Sequence, residues 1–558
     1  MRQRTNIFYH LLAVLALASG CKKINSYLDK AESGGITEEQ AFANFSEAQQ
    51  FLANVYSSGL GNGDWFAPTN TTLDNSFCFT AATDDARCQY NYTYAPIVFN
   101  NGSLSPTNNP IDNWSKEYQA IRKVNDFLAH IDAVPVQDDN EAAGRSRMKG
   151  EGYFLRAYFY AELYKRYGAV PLITRVLSIS DDLNIPRNTD DETVAFIVAS
   201  CDSAVTLLPA SYPPNNLGRA TSGAAMMLKA RTQLFAASLL HNPSNDPQKW
   251  RNAAASARAV MDLNIYHLAD SFKTMLHTRA SPEIIFQSTI NQVFKVATDD
   301  WVRVQQPPGQ GGGWANTQPL QNLVDAYEMK NGLPITDPAS GYDPGNPYKD
   351  RDPRLAQTVI YNGMKWAGAT IYTYVNSGAN GLNYKAGATQ TGYYMGGKML
   401  DETSTLLTSY QPGSHYWVFM RYAETLLDYA EAQNEAVGPD PSVYDAVNQV
   451  RGRKSVNMPP LPAGLSQDEM REKIRHERRI EMALEDTRFW DIRRWRIGTQ
   501  VMNDANGMRI TKNTDGSYTY VPFLVESRVY KPAFDLFPIP QAEMQKNKAL
   551  VQNEGYTN

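Results

Sequence analysis

Cysteine and histidine are scarce in this chain of 558 residues, at 4 and 7. No CxxC pair occurs and no histidine accompanies a cysteine, so a zinc centre has no support. His476-Glu477 opens the metalloprotease pattern, but Ile480 stands where the second histidine would be needed. Gly309–Gly313 is glycine-rich yet lacks the Gly-Lys-Ser/Thr ending that cradles phosphate, and Gly396-Gly397-Lys398 runs into Met399. There is no G-x-S-x-G elbow, and Asp337, Asp343, Asp350 and Asp352 do not have the spacing of a calcium-binding EF-hand. The adjacent acids Asp84-Asp85 and Asp299-Asp300 point different ways in most backbones. Beyond the first residues no apolar run approaches the roughly twenty needed to span a bilayer. Net charge is only -5 with basic residues scattered, which leaves no stripe for nucleic acid. The expectation is a protein without resident metal or cofactor and without a marked catalytic centre.

What the chain does have is concentrated near its C-terminus. The segment Arg475–Trp495 reads RHERRIEMALEDTRFWDIRRW. At helical spacing Met470, Ile474, Glu477, Glu481 and Leu484 share one stripe, which places two carboxylates where core is expected. Buried charge is costly unless paired, so these glutamates must meet arginines. Arg488, Arg493 and Arg494, a turn later, are the expected partners, under cover of Phe489, Trp490, Ile492 and Trp495. A glycosidase-like acid/base pair is the weaker reading, because both acids sit on one helix saturated with arginine.

Helical periodicity predicts helices over Glu38–Ser57, Asp112–Ala133, Glu141–Tyr167, Asp190–Leu208, Ser222–Leu240, Gln248–Leu263, Arg421–Ala436, Ser442–Arg451 and Gln467–Glu485. Short polar turns join several of them, which suggests serial hairpins in a solenoid. Alanines such as Ala224, Ala225, Ala230, Ala253, Ala254 and Ala257 allow close helix approach. Cys201 falls with Val194, Ile197, Val205 and Leu208 on one face and reads as core. Cys78 and Cys88 bracket a loop, and they either form a disulfide or remain two thiols. Hydrophobic content of 42% is enough for a sizeable core.

The N-terminus begins with Arg2 and Arg4, continues through the apolar run Ile7–Leu17, and reaches Ala18-Ser19-Gly20-Cys21. That pattern predicts a lipoprotein signal peptide over 1–20, a lipid on Cys21 and a linker over 21–36.

The C-terminal segment resembles the signature of the SusD/RagB family, the nutrient-capturing surface lipoproteins of Bacteroidetes, departing at Asp486 where the family usually carries glycine. Glu151–Thr174 (EGYFLRAYFYAELYKRYGAVPLIT), Asn113–Asp132 and Lys531–Gln541 (KPAFDLFPIPQ) are similar to other family segments. The resemblance implies a mainly α fold of tetratricopeptide-like hairpin repeats, four in number, wrapped around an irregular, loop-rich ligand-binding half with a few short strands. Its expected layout is a repeat region over 37–290 with a ligand loop inserted at 59–110, then a C-terminal region over 291–558 in the same body. It further implies a non-catalytic receptor, lipid-anchored on the outer membrane and facing the exterior. Such a receptor passes cargo to a TonB-dependent outer-membrane transporter of the SusC type.

The cargo is oligosaccharide or, as in the RagB branch, peptide; an exported hydrolase using Asp84 or Asp300 is the third reading. Tyrosine, at 32 residues beside 9 tryptophans, suits a wet binding surface. A sugar ring stacks its CH face on an aromatic side chain and turns its hydroxyl edge to planar polar groups. The irregular stretches Gly59–Pro110, Gln305–Gln318 and Asn331–Gln411 offer both. The candidate ligand residues are therefore Trp65, Arg87, Tyr90, Tyr92, Trp301 and Trp314, the last carried by a glycine-rich loop that cannot easily bury it.

Overall fold

The computed structural model describes residues 37–60, 79–90, 94–178, 180–288, 304–385, 388–402 and 417–557. The fold is mainly α. Its long helices are α1 (Phe45–Gly59), α2 (Trp114–His130), α3 (Asp139–Tyr167), α4 (Asp190–Leu207), α5 (Ser222–Ala237), α6 (Pro247–Asp262), α7 (Tyr422–Val437), α8 (Pro441–Arg451), α9 (Gln467–Glu481) and α10 (Thr487–Arg494). From α1 to α6 each helix packs on the next in chain order. Helix α6 then packs on α7, which continues onto α8 and α9, so the irregular stretch between α6 and α7 loops out of one continuous helical stack.

Local chemistry sets the helix starts. Asn44, Asp138, Thr189, Thr221, Asp246, Asp440 and Ser466 each cap a helix through their side-chain oxygen, and Thr189 and Ser466 form reciprocal boxes with Glu192 and Glu469. Asn44 also explains why the helix expected over Glu38–Ser57 is broken: a short turn, Glu38–Ala41, ends before the cap restarts the chain as α1. At the far end of α3, Gly168 takes φ +73°, a conformation open to glycine. The Tyr167 hydroxyl then accepts from the amides of Asn113 and Trp114 at 3.0 and 3.1 Å, tying that end to the start of α2.

Small residues bring α5 and α6 together, with Ala224, Ala225, Ala230, Ala253, Ala254 and Ala257 all buried. Cys201 is fully buried beside Ile197 and Ala204 on α4.

The charged stripe of α9 is buried, as its spacing predicts, but its partners differ from those expected. Glu481 accepts from Arg421 at 2.8 Å, Arg453 at 2.7 Å and Arg354 at 3.2 Å. Glu477 meets Arg354 and, at 2.9 Å, Arg451. Helix α9 stops at Glu481 rather than Glu485, because Leu484 and Asp486 turn the backbone through φ +67° and +66°. That reversal aims α10 elsewhere. Arg488 chelates Asp84 with both contacts at 2.9 Å, Arg494 holds Glu431 and Asp491, and Arg493 lies 3.4 Å from the centre of the Phe489 ring. Asp486 fills the left-handed position itself, and its Oδ1 accepts from the Thr80 amide at 2.9 Å.

Strands are short and antiparallel in pairs: β1 (Ala86–Cys88) with β3 (Thr317–Pro319), and β2 (Ile284–Gln287) with β8 (Val418–Arg421). Two further pairs are β4 (Val359–Ile360) with β7 (Tyr394–Met395), and β5 (Met364–Trp366) with β6 (Ala369–Ile371). The longest is the hairpin β9 (Asp504–Lys512) and β10 (Tyr518–Ser527). No helix among the described residues is long and apolar enough to cross a membrane.

Candidate functional site

The β1–β3 ladder pairs Arg87 with Gln318 and Cys88 with Thr317, and it continues as the Gln89 amide donates to the Asn316 carbonyl at 2.7 Å. This brings the segments carrying Tyr90 and Trp314 side by side, although most of the N-terminal half of the chain separates them. Trp314 sits in a tight loop closed by Ala315 N to Gln306 O at 3.1 Å and Asn316 N to Val304 O at 2.8 Å. Gly313 is required there: a Cβ would lie 2.2 Å from the Gln306 carbonyl. Trp314 itself is half-buried.

A relay of buried amides holds the floor. Gln318 donates to the Gln89 side chain and accepts from the Thr391 amide at 2.9 Å, while Gln305 accepts from the Thr317 amide at 2.8 Å. Gln89 in turn donates to the Tyr384 hydroxyl at 3.2 Å. Burial pushes that hydroxyl up, and the bond from Gln89 partly counters it. Beside it the exposed Lys385 ammonium lies 4.7 Å from the centre of the Tyr90 ring and 3.4 Å from its hydroxyl. The loop that carries Tyr384 is tied to the Trp314 loop where Gly309 N donates to Asn380 Oδ1 at 2.7 Å.

Of the predicted ligand residues, Tyr90 and Trp314 lie on segments that the ladder sets side by side. Tyr90 is largely buried, with 7% of its surface exposed. Arg87 turns inward: Nε donates to the Cys88 carbonyl at 2.8 Å and the guanidinium faces Glu526 of β10 at 3.6 Å. It braces β1 against the hairpin. Trp65, Tyr92, Trp301, Cys21 and Cys78 lie outside the described residues. Cys88 is buried on β1. Gln89, Gln318, Asn380, Tyr384 and Lys385 complete the cluster and were not picked out individually by sequence; the signal was the polar-aromatic composition of the three irregular stretches that carry them. Trp114, Trp490 and Trp495 are buried in the core.

Asp84 and Asp85 are both buried. Burial works to raise the Asp84 carboxyl, and Arg479 and Arg488 more than offset it, holding it down at about 2. Such a carboxylate has no proton to donate near neutrality. A cleft among Tyr158, Lys165, Arg231, Trp417 and Trp490 is charged, but Lys165 is paired with Glu162 and Arg231 with Glu424. At the surface Glu38, Asp126 and His130 are close enough to gather round a cation; the imidazole instead contacts Glu38 at 2.7 Å and Asp126 at 3.2 Å.

A half-buried tryptophan, a largely buried tyrosine and a bed of buried glutamines thus lie on ladder-joined segments of a helical-repeat scaffold. Residues 282–556 match the SusD family, and residues 26–234 match a related family described as starch-binding and associating with the outer membrane. The chain belongs to the SusD/RagB family. It is 24% identical over 575 residues to SusD-like protein P2 of Formosa agariphila, with 98% of each chain covered. Among solved structures it is similar to a SusD-like protein from Bacteroides fragilis (TM-score 0.75, 27% identity, 92% of this chain and 98% of that one). A SusD-like carbohydrate-binding protein from the same species is equally similar in fold, with TM-score 0.75, 26% identity and coverage of 91% and 99%.

Proposed function

We propose that this protein is a non-catalytic glycan receptor that captures oligosaccharides at the outer membrane and delivers them to a SusC-like TonB-dependent transporter. The observation that carries the glycan reading is that the β1–β3 ladder sets the segments of Tyr90 and Trp314 side by side, with Tyr384 and Lys385 joined to them through Gln89 and Tyr90. Stacking surface and hydroxyl-directed hydrogen bonding are the two things a pyranose needs, and the family places such proteins at the outer membrane. Trp314 is the central platform, Tyr384 and Lys385 the polar rim, and Trp65, Tyr92 and Trp301 further candidate aromatics. Arg87 acts through the backbone it braces. Cys21 carries the lipid that tethers the body beside the transporter. The pairing of Asp84 with Arg488 and Arg479 supports binding without turnover.

Isothermal titration against a polysaccharide panel and a peptide pool tests this. Glycan binding without product release, weakened about tenfold or more by Trp314→Ala, is the expected result. Binding confined to peptides, or glycan binding indifferent to Trp314→Ala, would remove the reading or its site.

A further inference from the structure

A second aromatic surface adjoins the cleft. Tyr372 and Tyr374 lie 5.8 Å apart between ring centres, Tyr374 and Tyr518 5.7 Å, and Tyr518 and Tyr520 6.4 Å. Tyr520 meets Tyr348 edge-on at 5.7 Å, and Tyr348 stacks on Tyr361 at 4.2 Å. The inner members serve the fold, since Tyr348 packs the β9–β10 hairpin against the body and contacts the Tyr393 hydroxyl at 3.2 Å. The outer members differ in how far they do so: Tyr374, Tyr518 and Tyr520 touch the core from its edge, and Tyr372 does not. Tyr372 is 42% exposed, and Tyr374, Tyr518 and Tyr520 are half-buried. A ring that served only to pack the hairpin would be covered by it, and Tyr372 is not.

The same loop links this ladder to the cleft. After Tyr374 the backbone doubles back, with Leu382 N donating to Thr373 O at 3.3 Å, and runs on through Asn380 to Tyr384 and Lys385. Asn380 is bound to Gly309 of the Trp314 loop, and its carbonyl accepts from the Tyr394 hydroxyl at 2.8 Å. Tyrosines therefore continue along the surface from the proposed glycan site. A charge seated on the ladder is the cation of Lys512, 5.8 Å from the centre of the Tyr374 ring. Neutral aromatic rings with hydroxyl tips suit an uncharged, hydroxyl-rich chain better than a peptide or a lipid surface.

We infer that Tyr372, Tyr374 and Tyr518 form an outer track that holds the continuation of a polysaccharide whose inner residues occupy the Trp314 cleft. This rests on the glycan reading of that cleft. It makes the receptor a reader of chain length: a polymer engages both surfaces and gains from their linkage, whereas a fragment of a few sugars fills only the inner one.

The test uses the soluble protein on an array of laminarin, amylopectin, xylan, pectin and carrageenan, followed by titration with the bound polymer and with trimer-sized fragments from its partial acid hydrolysis. Tyr372→Ala alone, which removes an exposed ring, and Tyr372→Ala with Tyr374→Ala are compared with Trp314→Ala; thermal melting checks that each variant is folded. The expected result is that the tyrosine pair weakens polymer binding about tenfold and leaves the trimer unchanged, while Trp314→Ala weakens both. Unchanged polymer affinity in the tyrosine variants overturns the track and leaves the glycan reading standing. Equal losses on polymer and trimer also overturn it, since the tyrosines would then belong to the inner site. Failure to bind any polymer overturns both together.

Discussion

Glu481→Ala is the sharpest probe of the buried charge cluster. Glu481 is fully buried, and its oxygens accept from Arg421, Arg453 and Arg354. After truncation Arg421 keeps Glu283 and Glu485, Arg453 keeps Glu283, and Arg354 keeps Asp352 and Glu477. None is left wholly unpaired, yet all have lost a partner inside a dry interior. Removing one side of a buried pair costs about 3–5 kcal/mol, a large share of the stability of an ordinary domain. Glu481→Gln keeps the volume and one acceptor, so about 2 kcal/mol is expected, the worth of a charge-assisted bond. Urea unfolding followed by tryptophan fluorescence reads both as a shift of midpoint. The pH dependence adds an independent check. Burial works to raise the Glu481 carboxyl, but Arg453, Arg421, Arg354 and Lys398 prevail and hold it well below 4.5. A depressed folded pKa contributes stability above the unfolded value and loses it as pH falls through the folded one. The wild type's advantage over Glu481→Gln should therefore shrink as the solution is acidified below the ordinary carboxylate range. A loss under about 1 kcal/mol for Glu481→Ala, the scale of a surface pair, would refute the claim that this network bears on folding.

Asp428 should behave with the opposite sign. It is buried, Arg478 donates to Oδ1 at 2.5 Å, and Oδ2 has no partner among the described residues; burial first, then Glu424, outweigh the arginines and push it up to about 7. Its contribution is complete below the unfolded value of 3.8 and is lost as pH rises toward 7, so Asp428→Asn should gain on the wild type in melting temperature between pH 5 and pH 8 by calorimetry; parallel curves would contradict this. At the reversal after α9, Asp486→Ala combines a left-handed alanine with loss of the bond from Thr80 and should cost about 1–3 kcal/mol. Asp486→Gly loses only the bond and should cost about 1 kcal/mol, and thermal melts that reverse this order would sink the account.

Helices were legible because the information that forms them is local. Period, cap and alanine content lie within a few residues of each other, and Thr189, Thr221 and Ser466 mark starts that the chain uses. The break at Asn44 was missed since a capping asparagine inside an amphipathic run reads equally as a surface residue. The burial of Glu477 and Glu481 was legible from their stripe. Their partners were not, because Arg354, Arg421, Arg451 and Arg453 come from separate segments, and only the turn at Leu484 and Asp486 decides that α10 faces away.

The proposed binding surface shows the same division in a harder form. Composition pointed to the stretches that carry the proposed surface, because aromatic and amide residues in loops need some use for their exposed chemistry. Which way each side chain points depends on pairings of high sequence separation. Arg87 and Tyr90 are near neighbours in sequence with similar prior claims, yet the β1–β3 register sends one inward to Glu526 and leaves the other beside Lys385. Tyr384 joins the cleft only because Gln89 reaches it, and Gln89 is placed by a bond to Asn316. A loop residue's role is thus set by the ladder that anchors its loop. Tyr372 alternates with Tyr374, and Tyr518 with Tyr520, a local sign that went unread because nothing near either pair says the two segments face each other. Their meeting across the hairpin is what turns that sign into a surface.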